Sequence, residues 1–220
     1  VFPELKGKES PALIFARGVA NIAITGSGTI NGQGAHQNFQ HGNDSKGGPR
    51  RPKIIYFIGC NNVRVQDVTL RNSAYWTQDY EKCNGVIVRG VKVYSHANWN
   101  NDGLDIDSRN VVVSDCYIDC DDDALCLKSD TDTPCENVTV TNCVLKSNCN
   151  AIKFGTSSYS GFKNVTISNC TIDRASEDHI RQWYKNYPWI GTKHKTVVAG
   201  IALESVDGGI IENVSISDIA

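Results

Sequence analysis

Two short acidic segments contain the residues of this sequence that are best suited to do chemistry. Asp102 and Asp105 lie in the segment 101–106, and Asp122 and Asp123 lie in the segment 121–127. In both segments an Asp is followed by a small residue, an apolar residue, any residue and a second apolar residue, so Asp102 aligns with Asp123. Two carboxylates about 5 Å apart at an effective dielectric of about 20 repel by roughly 3 kcal/mol, which raises one pKa by about two units. An acid that stays protonated beside an ionised carboxylate is the combination that glycoside hydrolysis needs.

The same four carboxyl groups are open to two plainer interpretations. A solvated acidic patch needs no chemical role, and clustered carboxylates are also typical of calcium sites. Stacked like charges cost stability, so a repeating structure gains nothing from collecting them. The cluster therefore favours a chemical role, and the alternatives remain to be tested.

A repeated phrase along the chain indicates how these segments are positioned. The phrase N-N-V-R-V-Q-D-V-T-L at 61–70 recurs, and its leading valines are Val63, Val86, Val111, Val138, Val165 and Val214. Their separations are 23, 25, 27, 27 and 49 residues, and we interpret the last as two coils, one of which has lost the phrase. Apolar residues at i, i+2, i+5 and i+7 follow the two-residue period of strands with a bend in the middle. A repeat of this length built from short strands predicts an all-β fold, a right-handed single-stranded parallel β-helix with about 22–27 residues per coil.

Stacking of the coils predicts interior columns of side chains about 4.8 Å apart. We expect one column of Leu104, Leu125, Ile152 and Ile201 and a second of Ile106, Leu127, Phe154 and Leu203. Cys116, Cys143 and Cys170 occupy a position where other coils carry Val or Ile, so we expect buried free thiols there. A bridge from Cys149 to Cys120 or to Cys126 stays open as an alternative.

Composition limits the function classes. The 220 residues carry 22 Lys and Arg against 24 Asp and Glu, a net charge of −2, which argues against nucleic acid as a partner. No apolar run reaches the roughly 20 residues of a membrane span. We expect one β-helix domain over residues 1–220, a segment of a longer parent chain, with a loop insertion at about 174–195.

The two acidic segments, on such a repeat, resemble glycoside hydrolase family 28, the polygalacturonase and rhamnogalacturonase family. Its Asn-Thr-Asp-Gly signature corresponds to residues 100–103 and its Gly-Asp-Asp signature to residues 121–123, and S-G-T-I-N-G-Q-G at 27–34 matches an early turn of these enzymes. The resemblance implies that Asp122 protonates the departing glycosidic oxygen. It implies that Asp102 and Asp123 act as bases on a water at the opposite face, which gives hydrolysis with inversion. It calls for no metal and no cofactor.

The resemblance fails at three positions that polygalacturonases use. The family histidine corresponds to Asn150, and the Arg-Ile-Lys signature that grips galacturonate corresponds to Ala202, Leu203 and Glu204. A Glu in place of a Lys reverses the local charge, which favours a neutral or deoxy sugar such as rhamnose beside the scissile bond. Lys153 and Lys128 are the cations that could replace the lost charge.

The full set of predicted substrate contacts follows from the columns, the resemblance and the aromatic insertion. These contacts are Asn101, Asp105, Lys128, Asn150, Lys153, Glu204, Trp76, Gln78, Arg181 and Trp183. The predicted partner is a pectic polysaccharide or oligosaccharide, and the predicted location is secreted or periplasmic. Two other functions remain open: a non-catalytic β-helix that binds polysaccharide, and a calcium-dependent pectate lyase.

Overall fold

The computed structural model describes residues 11–39, 51–177 and 198–220. These ranges contain 17 β-strands and one 3-10 turn at Gln37–Phe39, and every strand pairing between them is parallel. The fold is the predicted right-handed parallel β-helix. In the described residues no helix is long and apolar enough to cross a membrane.

Each coil contributes to three stacks of strands. The first stack comprises β1 (Ala12–Arg17), β4 (Lys53–Ile58), the first halves of β7 (Gln78–Arg89) and β9 (Leu104–Ser114), β11 (Leu125–Ser129), β14 (Asn150–Ser158) and β16 (Ala199–Leu203). The second comprises β2 (Ala20–Thr25), β5 (Asn61–Gln66), the second halves of β7 and β9, β12 (Cys135–Thr141), β15 (Phe162–Arg174) and β17 (Ile211–Ile219). The third comprises β3 (Thr29–Asn31), β6 (Thr69–Arg71), β8 (Lys92–Ser95), β10 (Tyr117–Cys120), β13 (Val144–Ser147) and the end of β15.

The repeated phrase forms the second stack in the predicted register. Val63, Val86, Val111, Val138 and Val165 pair in succession from coil to coil. Val165 pairs directly with Val214, so the interpretation of the 49-residue separation as two coils is wrong. It is one coil with a long connection between β15 and β16. The number of residues between two paired strands does not fix the number of coils, because the connection between the strands can vary in length.

A left-handed backbone bend recurs just before the valine of each phrase. Asn62, Asn110, Asn137 and Asn164 have φ between 53° and 57°, and Gly85 takes the same place in β7 with φ 74°. Asn tolerates this conformation better than other residues that carry a side chain. Its amides also bond from coil to coil, with Asn137 Nδ2 donating to Asn110 Oδ1 over 3.0 Å. The bend and its amide ladder fix the register of the coils.

The core consists of the predicted columns. Leu104, Leu125 and Ile152 pair in one column, and Ile106, Leu127 and Phe154 pair in the next; all six are fully buried. Both columns continue into β16 through Ile201 and Leu203, which are 40% and 51% exposed. Full burial of a Leu or Ile side chain contributes about 1.5–3 kcal/mol, so each continuous column adds substantially to stability.

All nine cysteines are buried free thiols. Cys116, Cys143 and Cys170 are each no more than 2% exposed, as predicted for that position. Cys149 forms a disulfide with neither Cys120 nor Cys126, so the alternative that linked them is wrong.

Candidate active site

The acidic segments lie where the connections from the third stack enter the first. The backbone N–H of Thr77 donates to the carbonyl of Asp102, that of Gly103 to the carbonyl of Asp123, and that of Ala124 to the carbonyl of Asn150, over 2.8, 2.8 and 2.9 Å. Asp102, Asp123 and Asn150 therefore take equivalent places in successive coils, as the alignment predicted. Neighbouring coils are about 4.8 Å apart, so Asp102 and Asp123 are close neighbours.

Asp122 is held from two sides. Its Oδ1 accepts a hydrogen bond from the backbone N–H of Asp123 over 3.0 Å, and its Oδ2 accepts one from Asn100 Nδ2 over 3.3 Å. Asp102, Asp122 and Asp123 are only 3%, 5% and 3% exposed. Three carboxyl groups are thus gathered in a site that is largely shielded from water.

Asp123 is surrounded by donors. Asn150 Nδ2 donates to its Oδ1 over 2.7 Å, and Lys153 Nζ lies 3.2 Å from its Oδ2. Lys153 also lies 3.8 Å from Glu204 Oε2, so two carboxylates share its charge. Burial alone would lower the pKa of Lys153, but Asp123, Cys126 and Glu204 outweigh burial and raise it. Lys153 is a permanent cation beside Asp123.

A second buried pair lies beneath Asp102. Asp105 is fully buried, and Lys128 Nζ lies 3.2 Å from its Oδ1. Burial and the neighbouring charge of Asp102 raise the pKa of Asp105 well above its usual range, against the opposing effect of Lys128. Asp105 is too deep to touch a substrate directly, which corrects its assignment as a substrate contact. Its influence on the site is electrostatic.

Trp76 takes the place equivalent to Asp102 one coil earlier, since the backbone N–H of Thr77 bonds to the carbonyl of Asp102. The Nζ atoms of Lys53 and Lys128 each lie 4.4 Å from the centroid of its ring, and Tyr75 stacks on it at 5.2 Å. Lys53 also lies 2.5 Å from Asp79 Oδ2. Lys53 was not identified in the sequence analysis. The column of Asp102 continues through Trp76 to Lys53, two coils earlier, so the alignment of coils could have found it.

Two predicted substrate contacts lie in the interior of the protein. Gln78 pairs with Ile55 in an interior column and is fully buried, so the expectation that it faces the substrate is wrong. Its Oε1 accepts a hydrogen bond from Tyr80 over 3.0 Å, inside the core. Asn101 is also fully buried, with its amide donating to the carbonyls of Ser73 and Tyr75. Asn101 holds two loops together and does not reach a substrate, which corrects its assignment. Arg181 and Trp183 lie outside the described residues.

The groups that could hold a metal do not suit calcium. Asp102, Asp105 and Cys126 form one group, and Asp122, Asp123 and Cys149 form another, each with ligand atoms within 4.8 Å of one another. Calcium takes six to eight oxygen ligands. Among the described residues, each group offers two carboxyl groups and a sulfur, and the ammonium groups of Lys128 and Lys153 lie 3.2 Å from Asp105 and from Asp123, where they would repel a cation. The donor set therefore disfavours a calcium site.

The family model described as glycosyl hydrolases family 28 matches residues 3–186. The chain belongs to this family. Among curated members, a probable polygalacturonase of Arabidopsis thaliana is 32% identical over 128 residues, covering 57% of this chain and 26% of the relative. A probable polygalacturonase of Vitis vinifera is 32% identical over 126 residues, covering 55% of this chain and 25% of the relative. The match with this family 28 chain covers only about a quarter of the length of each of these two relatives.

Two solved structures of exopolygalacturonases share the fold. The hyperthermoactive exopolygalacturonase of Thermotoga maritima aligns with a TM-score of 0.67 at 25% identity, covering 80% of this chain and 51% of that enzyme. The family 28 exopolygalacturonase of Yersinia enterocolitica aligns with a TM-score of 0.57 at 18% identity, covering 91% and 46%. The second likeness concerns the fold alone.

Proposed function

We propose that this chain forms the catalytic part of a glycosidase that hydrolyses a pectic polysaccharide with inversion at the anomeric carbon. The observation that supports this most strongly is the meeting of Asp102, Asp122 and Asp123 from consecutive coils in one buried cluster. Inverting enzymes need one carboxylic acid and one carboxylate base on opposite sides of the scissile bond, with room between them for water. In this proposal the acid and the bases come from side chains on neighbouring coils, and no cofactor is required.

Asp122 is the proposed general acid. Its two oxygens accept hydrogen bonds from Asn100 and from the backbone of Asp123, which fix the plane of the carboxyl group. Asp123 is adjacent in sequence, and Asp102 lies one coil away. Nearby negative charge favours the protonated form of a carboxyl group, which is the form an acid catalyst needs.

Asp102 and Asp123 are the proposed bases that activate water. Lys153 Nζ lies 3.2 Å from Asp123 Oδ2, and the amide of Asn150 donates to Asp123 Oδ1 over 2.7 Å, so both contacts hold this carboxyl group in place. The Asn150 amide occupies the place of the family histidine and supplies one of these hydrogen bonds. In this proposal the Asn150 amide and the Lys153 ammonium group take the place of the missing histidine.

The charges around Glu204 favour a neutral sugar beside the scissile bond. Lys153 pairs in register with Ala202, so it supplies a cation one coil before the place of the family arginine. However, Asp123 and Glu204 share this cation, and no second Lys or Arg contacts Glu204 among the described residues. A uronate carboxylate would add a further negative charge to this group. We therefore favour a rhamnogalacturonan-type substrate over polygalacturonan, and a polymer of this kind requires a secreted or periplasmic enzyme.

Release of reducing ends tests the function. The protein is incubated with homogalacturonan and with rhamnogalacturonan, with and without a chelator. We expect release that does not depend on the chelator, is greater with rhamnogalacturonan, and falls at least 100-fold in Asp122→Asn, Asp102→Asn and Asp123→Asn. Asp115→Asn is the matched control, because Asp115 lies on a left-handed bend that Asn tolerates and its side chain is 45% exposed.

Each alternative gives a distinct result. Activity of Asp122→Asn within threefold of the parent would refute the acid assignment. Binding of either polymer without any cleavage would identify a non-catalytic module. Chelator-sensitive cleavage that yields unsaturated, ultraviolet-absorbing products would identify a lyase.

A further inference from the structure

Arg51 lies outside the acidic cluster but contacts the loop that leads into it. It is 4% exposed. Its Nη1 donates to the carbonyl of Trp99 and, over 3.2 Å, to that of Ala74, while its Nη2 donates to Asn100 Oδ1 over 3.0 Å. Arg51 therefore joins the loop that carries Trp76 to the loop that carries Asp102.

Asn100 continues this contact to Asp122. Its Oδ1 accepts from Arg51, and its Nδ2 donates to Asp122 Oδ2 over 3.3 Å. A guanidinium group has donors only, so Arg51 binds the oxygen of the Asn100 amide and the amide nitrogen is left to face Asp122. Arg51 thus determines which end of the Asn100 amide faces Asp122.

Asn100 is one of the side chains that orient Asp122, through the hydrogen bond to its Oδ2. In the described residues, Asp123 and Cys149 lie within 4.8 Å of its carboxylate, Asp102 lies one coil away, and Ser147 donates to its backbone carbonyl. Lys153 is directed to Asp123 and Glu204. The backbone N–H of Asp123 holds Oδ1, and the Asn100 amide holds Oδ2.

We propose that Arg51 and Asn100 form a positioning relay that aims the carboxyl group of Asp122 at the glycosidic oxygen. The inference rests on the proposed role of Asp122 as the acid. Arg51 and Asn100 are positioning residues, because Arg51 acts through Asn100 and Asn100 acts through Asp122. A misplacement of about 1 Å in a reacting group costs on the order of 100-fold in rate, so the relay governs kcat more than KM.

The relay also makes a specific prediction about pH. A hydrogen bond donated to a carboxylate favours its ionised form. Without the Asn100 amide, Asp122 therefore keeps its proton to higher pH, and the alkaline limb of the pH–kcat profile moves upward. A residue with a purely structural role would lower stability without moving this limb.

Two substitutions of Asn100 test the relay without disturbing its backbone. Asn100 has φ 55°, a conformation that Gly adopts freely and Asp tolerates. We expect Asn100→Gly to lower kcat about 10- to 100-fold with little change in KM and to move the alkaline limb upward. We expect Asn100→Asp to move that limb further, because it places a negative charge beside Asp122 while keeping an acceptor for Arg51.

Substitutions of Arg51 extend the test by one step. Arg51→Met removes every donor, and we expect it to reproduce the kcat loss and the pH shift of Asn100→Gly. Arg51→Lys keeps the charge and one donor group, and we expect a smaller loss. The matched control is Asn142→Gly, since Asn142 is an exposed residue with φ 55° on another bend. Thermal unfolding of each variant separates loss of folding from loss of function.

The outcomes separate the relay from the proposed function. If Asp122→Asn is inactive while Asn100→Gly and Asn100→Asp match Asn142→Gly in kcat and in pH profile, the relay is overturned and the acid assignment stands. If Asp122→Asn is fully active, the acid assignment itself fails. A kcat loss with an unmoved alkaline limb in both Asn100 variants also overturns the relay.

Discussion

Asn110 Nδ2 donates a hydrogen bond to Asn84 Oδ1 over 2.7 Å, although the two residues do not occupy equivalent places in their coils. Asn84 pairs with Arg109, so the residue equivalent to Asn110 is Gly85. Elsewhere in the amide ladder the partner is the equivalent Asn, as when Asn164 Nδ2 bonds to Asn137 Oδ1 over 3.0 Å. The coil with Gly85 keeps the bend but lacks the amide, and the side chain of Asn84 substitutes for it.

Completing the ladder should stabilise the protein. Gly85 has φ 74°, and a Cβ there meets no atom closer than 3.7 Å. We expect Gly85→Asn to raise the free energy of unfolding by about 1 kcal/mol, through lower entropy of the unfolded chain and new amide hydrogen bonds, and to raise Tm by about 2–4 °C. Gly85→Ala, which adds a Cβ without an amide, should lower Tm instead. Equal losses in both variants would show that the amide ladder contributes nothing.

Removing the cation beside Asp123 should lower activity. Lys153 Nζ lies 3.2 Å from Asp123 Oδ2, and the two side chains are only 14% and 4% exposed. In Lys153→Met we expect kcat/KM to fall about 10- to 100-fold, because the contact that holds the carboxyl group of Asp123 in place is lost. Lys153→Arg should restore part of the activity. Lys163→Met removes a 44% exposed lysine and serves as control; an unchanged kcat/KM in Lys153→Met would contradict the proposed role.

Asp107 should make the protein less stable as the pH rises. Burial raises the pKa of Asp107 to about 7; the backbone N–H of Asp130 opposes this, and Asp79 and Glu81 add to it. Between about pH 4 and pH 7 the native state then binds more protons than the unfolded state, so the free energy of unfolding falls with pH, by up to about 1.4 kcal/mol per unit.

Urea unfolding at pH 5 and pH 8 measures this effect. Asp107→Asn resembles the protonated form, so the free energy of unfolding of this variant relative to the parent should increase from pH 5 to pH 8. Asp115→Asn, at a surface carboxyl group, should show no such increase. A constant difference between Asp107→Asn and the parent would rule out the titration of Asp107 in this range.

The cysteines should resist thiol reagents until the protein unfolds. All nine are buried, and burial raises the pKa of Cys83 and of Cys135 to about 12. The thiolate is the reactive form, so native protein at pH 8 should react very slowly, whereas denatured protein should titrate nine thiols. Rapid labelling of Cys116, Cys143 or Cys170 in native protein would show that their column is open to solvent.

The strand periodicity predicted the parts of the fold that repeat. The phrase valines, the two apolar columns and the alignment of Asp102 with Asp123 follow from one rule, that equivalent residues stack. The rule does not predict the lengths of the connections between strands, so the 49 residues between Val165 and Val214 were interpreted as two coils. It also does not identify exceptions such as Gln78, a polar residue in an apolar column.

The groups that surround the acidic residues were harder to predict. Lys53 was within reach of the column argument, because the register of β4 places it in line with Trp76. Arg51 gave no signal, since its contact with Asn100 joins residues 49 positions apart through a loop. Such contacts depend on how the connections fold around the acidic residues, and the connections have no period in the sequence.

The spacing of the acidic column along the chain has a consequence for how such a protein can change. Asp102 and Asp123 are 21 residues apart and Asp123 and Asn150 are 27 apart, yet each pair is separated by a single coil. Doubling the length of a flexible connection costs only about 0.6 kcal/mol of closure entropy. The connections between these coils can therefore be lengthened, shortened or exchanged while the carboxyl groups stay in place. In this architecture the connections can diversify without moving the acidic column.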